Sequence, residues 1–402
     1  MLLLMAAVPL PGLLGAVGLS PRAEFEELPS STREYRMITH HLRGPFDGYG
    51  TLDVLVPQFG VVALSHMASG LLNVYVAQPD LQPEIRESLS EVARRALSAS
   101  ISPTHAPTRA STPLDDHNLF WSHLGLILGI ERYVRCAAKG CSQSTDSDRL
   151  QERIVRHLRA KTMETALFVA PSYPGSPRWP ADQTVSLLAM KLYDATSGTS
   201  LHEEPLRGFV QVLRARVDPT TGLFPSSVSG IPNADVPRGC ASSWSALYLA
   251  QLDAGVALDQ YVRERAALGE SILGVGGFRE WPPGRGGHAD LDSGPILFGV
   301  GVAASALGLG PARIFHDARS YALIRRAASA FGIPAWWPSG GYWAAPLLGE
   351  AILFNGRTAR PWFGPVGTAE PRLVPLPIGP AVMALVDVLV VILLGWRLVR
   401  RQ

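Results

Sequence analysis

Residues 179–217 read WPADQTVSLLAMKLYDATSGTSLHEEPLRGFVQVLRARV. Val185, Leu188, Ala189, Leu192 and Tyr193 recur at helical steps of three and four, and so do Leu206, Phe209, Val210 and Leu213 after the break. The stretch therefore predicts a helical hairpin, Ala181–Thr196 and Leu201–Val217, closed by the short link Ser197–Ser200. A long irregular segment, Asp218–Gly239, follows, punctuated by Asp218-Pro219-Thr220-Thr221-Gly222 and Ser229-Gly230-Ile231-Pro232.

Working outward, the same grammar covers residues 31–358, and no run alternates like a half-buried strand. The other expected helices are Ser31–Leu42, Leu52–Ala77, Pro83–Ala99, His117–Cys136, Asp146–Val169, Ser242–Ala254, Leu258–Leu273, Gly294–Leu309, His316–Phe331 and Pro346–Arg357, twelve in all with the opening pair. Long links (Pro171–Pro180, Asp218–Gly239, Gly274–Ser293) alternate with short ones. That alternation predicts an all-α fold, an (α/α)6 barrel of six helical hairpins over residues 31–360, with the long loops on one rim where function concentrates. An open helical solenoid is the alternative, though such solenoids usually carry a sequence period and none is visible here.

Both ends are apolar. Residues 374–396 read VPLPIGPAVMALVDVLVVILLGW and are followed by Arg397, Arg400 and Arg401. About 20 apolar residues cross a bilayer core, so this is an expected transmembrane helix, with a cytoplasmic C-terminus and Trp396 at the interface. Asp387 lies mid-segment and is neutral, faces a partner helix or serves a function. Residues 1–20 form an apolar N-terminal segment without a basic start: an anchor, a signal peptide or half of a helix. Either of the first two places the domain outside the cytoplasm.

Hydrophobic residues make up 47% of the 402 and charged residues 17%, enough apolar mass for a large core plus a membrane segment. Net charge is +2, without a basic stripe, so nucleic acid is not an expected partner. The three cysteines, Cys136, Cys141 and Cys240, make no CxxC. In an oxidising compartment the first two can bridge; otherwise all three are free thiols. No nucleophile elbow, phosphate loop, dinucleotide fingerprint or HExxH is present, and no cofactor is expected.

Polar groups gather on the long loops. Asp182 sits at the start of its helix, where it caps the helix or faces the cleft. Arg279-Glu280-Trp281 and His288-Ala-Asp290-Leu-Asp292 bracket a Gly/Pro-rich loop ahead of the small-residue helix at Gly294. There Glu280, Asp290 and Asp292 cap, pair with Arg279 or Arg285, or divide acid and base roles. A metal held by His288, Asp290 and Asp292 matches no specific spacing. His123, beside Trp121 in an apolar helix, is by itself a core histidine, and His66 more so. Tyr173, Trp179, Trp281 and Trp121 supply aromatic walls, and Arg279 a cation, for substrate.

The phrases FWSHLGLILGIERYV, WPADQTVSLLAMKLYDATSGT, VDPTTGLFPSSVSG, FREWPPG through DLDSGPILFGVGVAASALGLGPARIFHD, and APLLGEAILF resemble, in that order, segments of the linalool dehydratase/isomerase family. The likeness spans roughly Ser31 to Arg357. It implies an (α/α)6 barrel with a central polar pocket, cofactor-independent lyase or isomerase chemistry, and a catalytic role for His123. The family's two pocket cysteines are absent; Tyr173 and Asp182 stand at the matching places. Its aspartate near the first helix has no clear counterpart, with Tyr35, Asp47 and Asp53 nearby. The fold transfers better than the reaction.

Three functions follow as expectations. The first is an acid–base lyase or isomerase acting on a terpenoid-like molecule, with His123, Asp182, Glu280, Asp290 and Asp292 as catalytic candidates. The second is a glycoside hydrolase or polysaccharide lyase using paired carboxylates on a glycan. The third is a non-catalytic, membrane-tethered binding or scaffold protein.

Overall fold

In a computed structural model, residues 9–20, 27–44, 58–98, 114–141, 144–228, 235–332 and 347–399 are described. Asp47, Asp53, Arg400, Arg401, the first eight residues and the 52–57 part of one expected helix lie outside them. The described residues form fourteen helices and two small antiparallel hairpins.

The helices are α1 (Leu10–Gly18), α2 (Arg33–Arg43), α3 (Phe59–Ala77), α4 (Gln82–Ala96), α5 (Asn118–Lys139), α6 (Asp146–Met163) and α7 (Pro180–Ser197). They continue as α8 (Glu203–Arg214), α9 (Gly239–Leu252), α10 (Ala254–Ala267), α11 (Val302–Ile314), α12 (Ala318–Gly332), α13 (Leu347–Thr358) and α14 (Ile378–Val399). The chain is thus all-α in class, and the twelve helices expected between the apolar ends are α2–α13. Local chemistry sets their ends. Pro180 opens α7, and Gly198 closes it in the left-handed conformation at φ 70°. A reciprocal Thr145/Asp148 box starts α6, and Asp253 caps α10 through the Gly255 and Val256 amides.

Packing follows the alternation of links. α3 contacts α5, α5 contacts α7, and the series continues through α9, α11 and α13, which returns to α3. The intervening helices lie outside this cycle: α4 against α3 and α5, α6 against α5 and α7, α10 on α9, α12 on α11, and α2 on α13. Nearly every residue of α3 is buried, as a helix surrounded by others requires. Where α11 meets α13 the backbones nearly touch. A Cβ on Gly356 would lie 3.2 Å from the Gly310 nitrogen, so this crossing depends on small residues.

Two expected helices are corrected. The stretch Leu258–Leu273 becomes α10 plus strand β1 (Gly269–Ile272), paired with β2 (Val275–Phe278). The helix expected from Gly294 begins only at Val302, because β3 (Ile296–Leu297) and β4 (Val300–Gly301) intervene. Both hairpins turn on two residues at positive φ, Leu273-Gly274 (49° and 88°) and Phe298-Gly299 (53° and 84°). Strands this short carry too few residues to show alternation.

At the ends, α1 packs on α12 and α14, sharing a cluster of Leu10, Leu13, Ala16, Ala330 and Ala384. Asp387 is half-buried one turn from Ala384. The segment leading to α14 is pinned to the body. Arg265 donates to the Glu370 carbonyl at 3.0 Å, Arg319 to Leu373 at 2.9 Å and Arg326 to Pro375 at 2.6 Å. By length and composition α3 is apolar enough to cross a membrane, but 89% of its apolar window is buried within the protein, the position of a core helix. The apolar run of α14, Ile378–Leu394, is shorter, and its side chains are largely exposed. Cys136 and Cys141 form a disulfide, and Cys240 is a buried free thiol.

Candidate active site

A cavity of about 1760 Å³ opens at one end of the molecule. Each helix of the inner cycle contributes its first turns: Val62 from α3, Leu119 from α5, Asp182 from α7, Trp244 from α9, Ser305 from α11 and Ile352 from α13. Six helix N-termini therefore point toward one space, while short turns such as residues 198–202 close the far end. The walls are predominantly apolar, and five of the predicted site residues line them: Asp182, Asp292, Tyr173, Trp179 and Trp281.

Asp182 is the third residue of α7 but does not cap it; Trp179 is the N-cap, without a side-chain hydrogen bond. Its carboxylate instead accepts from the Ser172 hydroxyl. Removal from bulk water raises its pKa to about 7, against the Ser172 hydrogen bond and with help from the charge of Asp292. Asp292 is itself raised, first by burial, then by Asp290, with Arg238 opposing. Its surface is exposed by area yet faces the cavity, so the surrounding walls restrict its water. Asp290 goes the other way. Burial pushes it up, but Arg238 at 2.7 Å and the Ser293 amide at 2.8 Å hold it below the usual carboxylate range. Two acids two residues apart are thereby separated in acidity, the split that lets neighbouring carboxyls take different roles.

Glu280 does not line the cavity; it lies fully buried against Arg238 and Cys240, which do. It accepts from Arg238 Nε at 2.8 Å, from the Cys240 amide at 3.2 Å and from Cys240 Sγ at 3.1 Å. Burial still keeps its pKa raised. Burial, then Glu280, push the Cys240 thiol well up, so the sulfur that lines the cavity is not a thiolate. Arg238 joins Glu280 to Asp290 and lies 4.9 Å over the Trp281 ring. Tyr173 and Trp179 pair at the mouth, ring centroids 5.7 Å apart.

Other predicted residues are placed elsewhere. Arg279 does not line the cavity; its guanidinium pairs with Glu270 at 3.0 Å, because β2 directs it along the hairpin. Trp121 is buried behind the wall with its indole N–H on Asp115 at 2.8 Å. His288, Asp290 and Asp292 do not gather as ligands; among the described residues no three metal-ligating side chains come together.

His123 stands one layer behind the cavity. It is fully buried, its ring 5.6 Å from that of Trp244, the residue that forms the wall. The His66 ring lies perpendicular to that of Trp244, centroids 5.4 Å apart. His123 Nδ1 lies 2.5 Å from Ser65 Oγ, and Ser65 Oγ also lies 2.9 Å from the Val62 carbonyl. One hydroxyl proton cannot serve both: Ser65 donates to His123 Nδ1, or it donates to Val62 and Nδ1–H donates to Ser65. Burial, then His66, drive the His123 pKa well below that of a free imidazole, which keeps the ring neutral. Tyr248 links this layer to the cavity. Its ring packs on Trp244 and His66, and the charge of Asp182 raises its hydroxyl pKa further, after burial. His123 is thus a buried residue behind the wall, not one that lines the cavity.

Arg238 and Trp244 carry no local mark in the sequence, and Cys240 stands there only as a lone cysteine. What brings them to the site is a close approach: a Cβ on Gly239 would lie 2.1 Å from the Arg279 carbonyl oxygen, so the RGC segment sits directly on the FRE segment. Comparison with known protein families and with curated proteins finds no match to this chain.

Proposed function

We propose that the chain is a membrane-tethered (α/α)6-barrel enzyme performing cofactor-independent acid–base elimination or isomerisation on an apolar, hydroxyl-bearing molecule. The reading rests on one observation above all: Asp182, with a pKa raised to about 7, faces a mostly apolar cavity beside a second carboxyl whose pKa is also raised. A carboxylic acid half-protonated at neutral pH is suited to general acid catalysis. Protonated Asp182 gives its proton to the substrate hydroxyl as the C–O bond breaks and water leaves. Asp292, ionised, takes the proton from the adjacent carbon as the double bond forms. Hydration runs the same steps backwards, and the two in sequence move the hydroxyl or the double bond.

The cyclic packing of six inner helices, with five outer helices laid against them, supports the barrel. The apolar walls favour a terpenoid-like substrate over a glycan, whose hydroxyls need polar partners throughout. A scaffold that had lost its chemistry would have no reason to keep Asp182 half-buried in an apolar cavity without a cation. For the tether, the apolar run Ile378–Leu394 of α14 rises about 26 Å at ~1.5 Å per residue, and Gly395 and Trp396 bring it near the hydrocarbon core of about 30 Å. The arginines after it favour a cytoplasmic end, and the Cys136–Cys141 disulfide fits a barrel in an oxidising compartment.

The test is turnover of a panel of allylic alcohols and isoprenoid alcohols by the full chain in nanodiscs, with products identified by mass spectrometry. Asp182→Asn is expected to lower turnover about 10²–10⁴-fold. Turnover equal to the parent's would remove Asp182 from the chemistry and the proposal with it.

A further inference from the structure

The cavity does not stop above Asp182. It runs outward past Leu291, Val302 and Phe331 to the two hairpin tips, Ile272-Leu273 and Leu297-Phe298, and ends against Gly379, Pro380 and Met383 of α14. The outermost of these walls are also among the most exposed apolar side chains of the protein: Phe298 is 85% exposed, Leu291 72% and Leu273 63%. A rim of this kind in water is unfavourable, and large exposed apolar patches mark contact surfaces.

The tips themselves carry an independent observation. Two-residue hairpin turns with both central residues at positive φ take Asn-Gly, Asp-Gly or Gly-Gly, because other side chains clash there. Here the first position is Leu273 in one hairpin and Phe298 in the other, at φ 49° and 53°. Both hairpins thus accept an unfavourable backbone conformation to present a large apolar side chain at the apex. Packing within the protein does not explain the choice, since both side chains are exposed.

The position of the rim is fixed relative to α14. The Gly379 amide donates to the Leu273 carbonyl at 2.6 Å, and Arg326 binds both the Gly274 carbonyl (3.2 Å) and the Pro375 carbonyl (2.6 Å). The first hairpin tip and the first turn of the anchor helix are therefore held side by side. A bilayer that takes up α14 must meet the hairpin tips at its surface.

We propose that the two tips insert into the outer part of the bilayer and form a lateral entrance, through which a long-chain lipid alcohol dissolved in the membrane reaches the cavity. The hydroxyl end goes inward to Asp182 and Asp292, and the apolar chain stays between the tips and α14. This rests on the reading of α14 as a membrane anchor and of the cavity as the catalytic site, and it narrows the substrate from small terpenoid-like alcohols to those the membrane holds.

The experiment uses the full chain in phosphatidylcholine vesicles, with an environment-sensitive fluorophore on Phe298→Cys or, at the far end of the inner helices, on Ser200→Cys. Quenching by lipid spin-labelled near the headgroup is expected at position 298 and not at position 200. Transfer of a pyrene-labelled long-chain alcohol from vesicles to the protein is then followed in the parent and in Leu273→Asn/Phe298→Asn. Asparagine is the residue these turns prefer, so the double variant is expected to fold, with unchanged vesicle co-sedimentation, and to slow transfer at least tenfold. Equal quenching at 298 and 200, or unchanged transfer, in protein that still co-sediments overturns the entrance while the anchor stands. Protein that does not co-sediment overturns the anchor and the entrance together.

Discussion

Glu34 and Asp182 are both carboxyls withdrawn from water, and they end at opposite extremes. Burial pushes each up. Glu34 meets Arg357 at 2.6 Å and Arg325 at 3.4 Å, and these two cations bring its pKa down to about 2. Asp182 meets one hydroxyl and a like charge, and settles near 7. Desolvation acts on both; the partners decide. The Glu34 cluster ties α2 to α12 and α13 and behaves as structure. Asp182 holds an unneutralised acid over a cavity, an arrangement that costs stability and makes sense where the proton is used.

The largest expected effect comes from breaking the structural side. Glu34→Gln removes the charge that Arg325 and Arg357 share, while Arg357 keeps Glu27, so the cost in chemical denaturation should be about 3 kcal/mol, the low end for a broken buried pair. The sign with pH follows from the lowered pKa. The contribution of Glu34 is present above the ordinary value of 4.5 and is lost as pH falls through about 2. A Glu34→Gln variant as stable as the parent at pH 7 would mean the cluster is not what joins these helices.

Glu264 asks whether an unpaired buried acid is functional merely by being unpaired. It is fully buried, bound to Ser243, near Glu280, and raised to about 8, yet it does not line the cavity. Its contribution to stability is present below 4.5 and lost as pH rises through about 8. Glu264→Gln should therefore gain on the parent across that interval, with turnover unchanged within about twofold, an allowance of roughly 0.4 kcal/mol. A turnover loss approaching that of Asp182→Asn would extend the working site behind the cavity wall. Asp182→Asn itself should gain stability over the parent from about pH 4 to about pH 7 while losing activity, the opposite pairing of effects.

Much of this contrast was hidden in the sequence, for a physical reason. Helices α2–α13 were legible because each repeats apolar residues over three turns or more, and Asp182 was legible because it follows Arg178-Trp179-Pro180 at a loop end. Glu34 was not: its partners lie 291 and 323 residues away, and nothing local marks a glutamate in a first helical turn as buried. Arg238 and Cys240 were missed likewise, being joined to Glu280 only across 40 residues or more. The hairpin tips misled in the other direction. Leu273 and Phe298 continue an apolar pattern that reads as helix, and only the backbone shows them at a turn. His123 was placed at the site by resemblance, whereas its apolar neighbours correctly indicated a buried residue behind it.

Asp292→Asn gives the finest test, because its effect on the Asp182 pKa is small. Asp292 comes last among the influences on Asp182, after burial and Ser172, so removing its charge should lower the Asp182 pKa only slightly. If Asp292 were merely a neighbour, the high-pH limb of the activity profile would move a little toward acid and the maximal rate would stand. As the proton acceptor, it should also carry a loss of turnover of about 10²-fold or more at the optimum. The two outcomes separate in one pH profile: a shifted limb at full height leaves Asp182 as the sole working carboxyl and calls for another base, whereas a lowered plateau makes the pair the unit of chemistry.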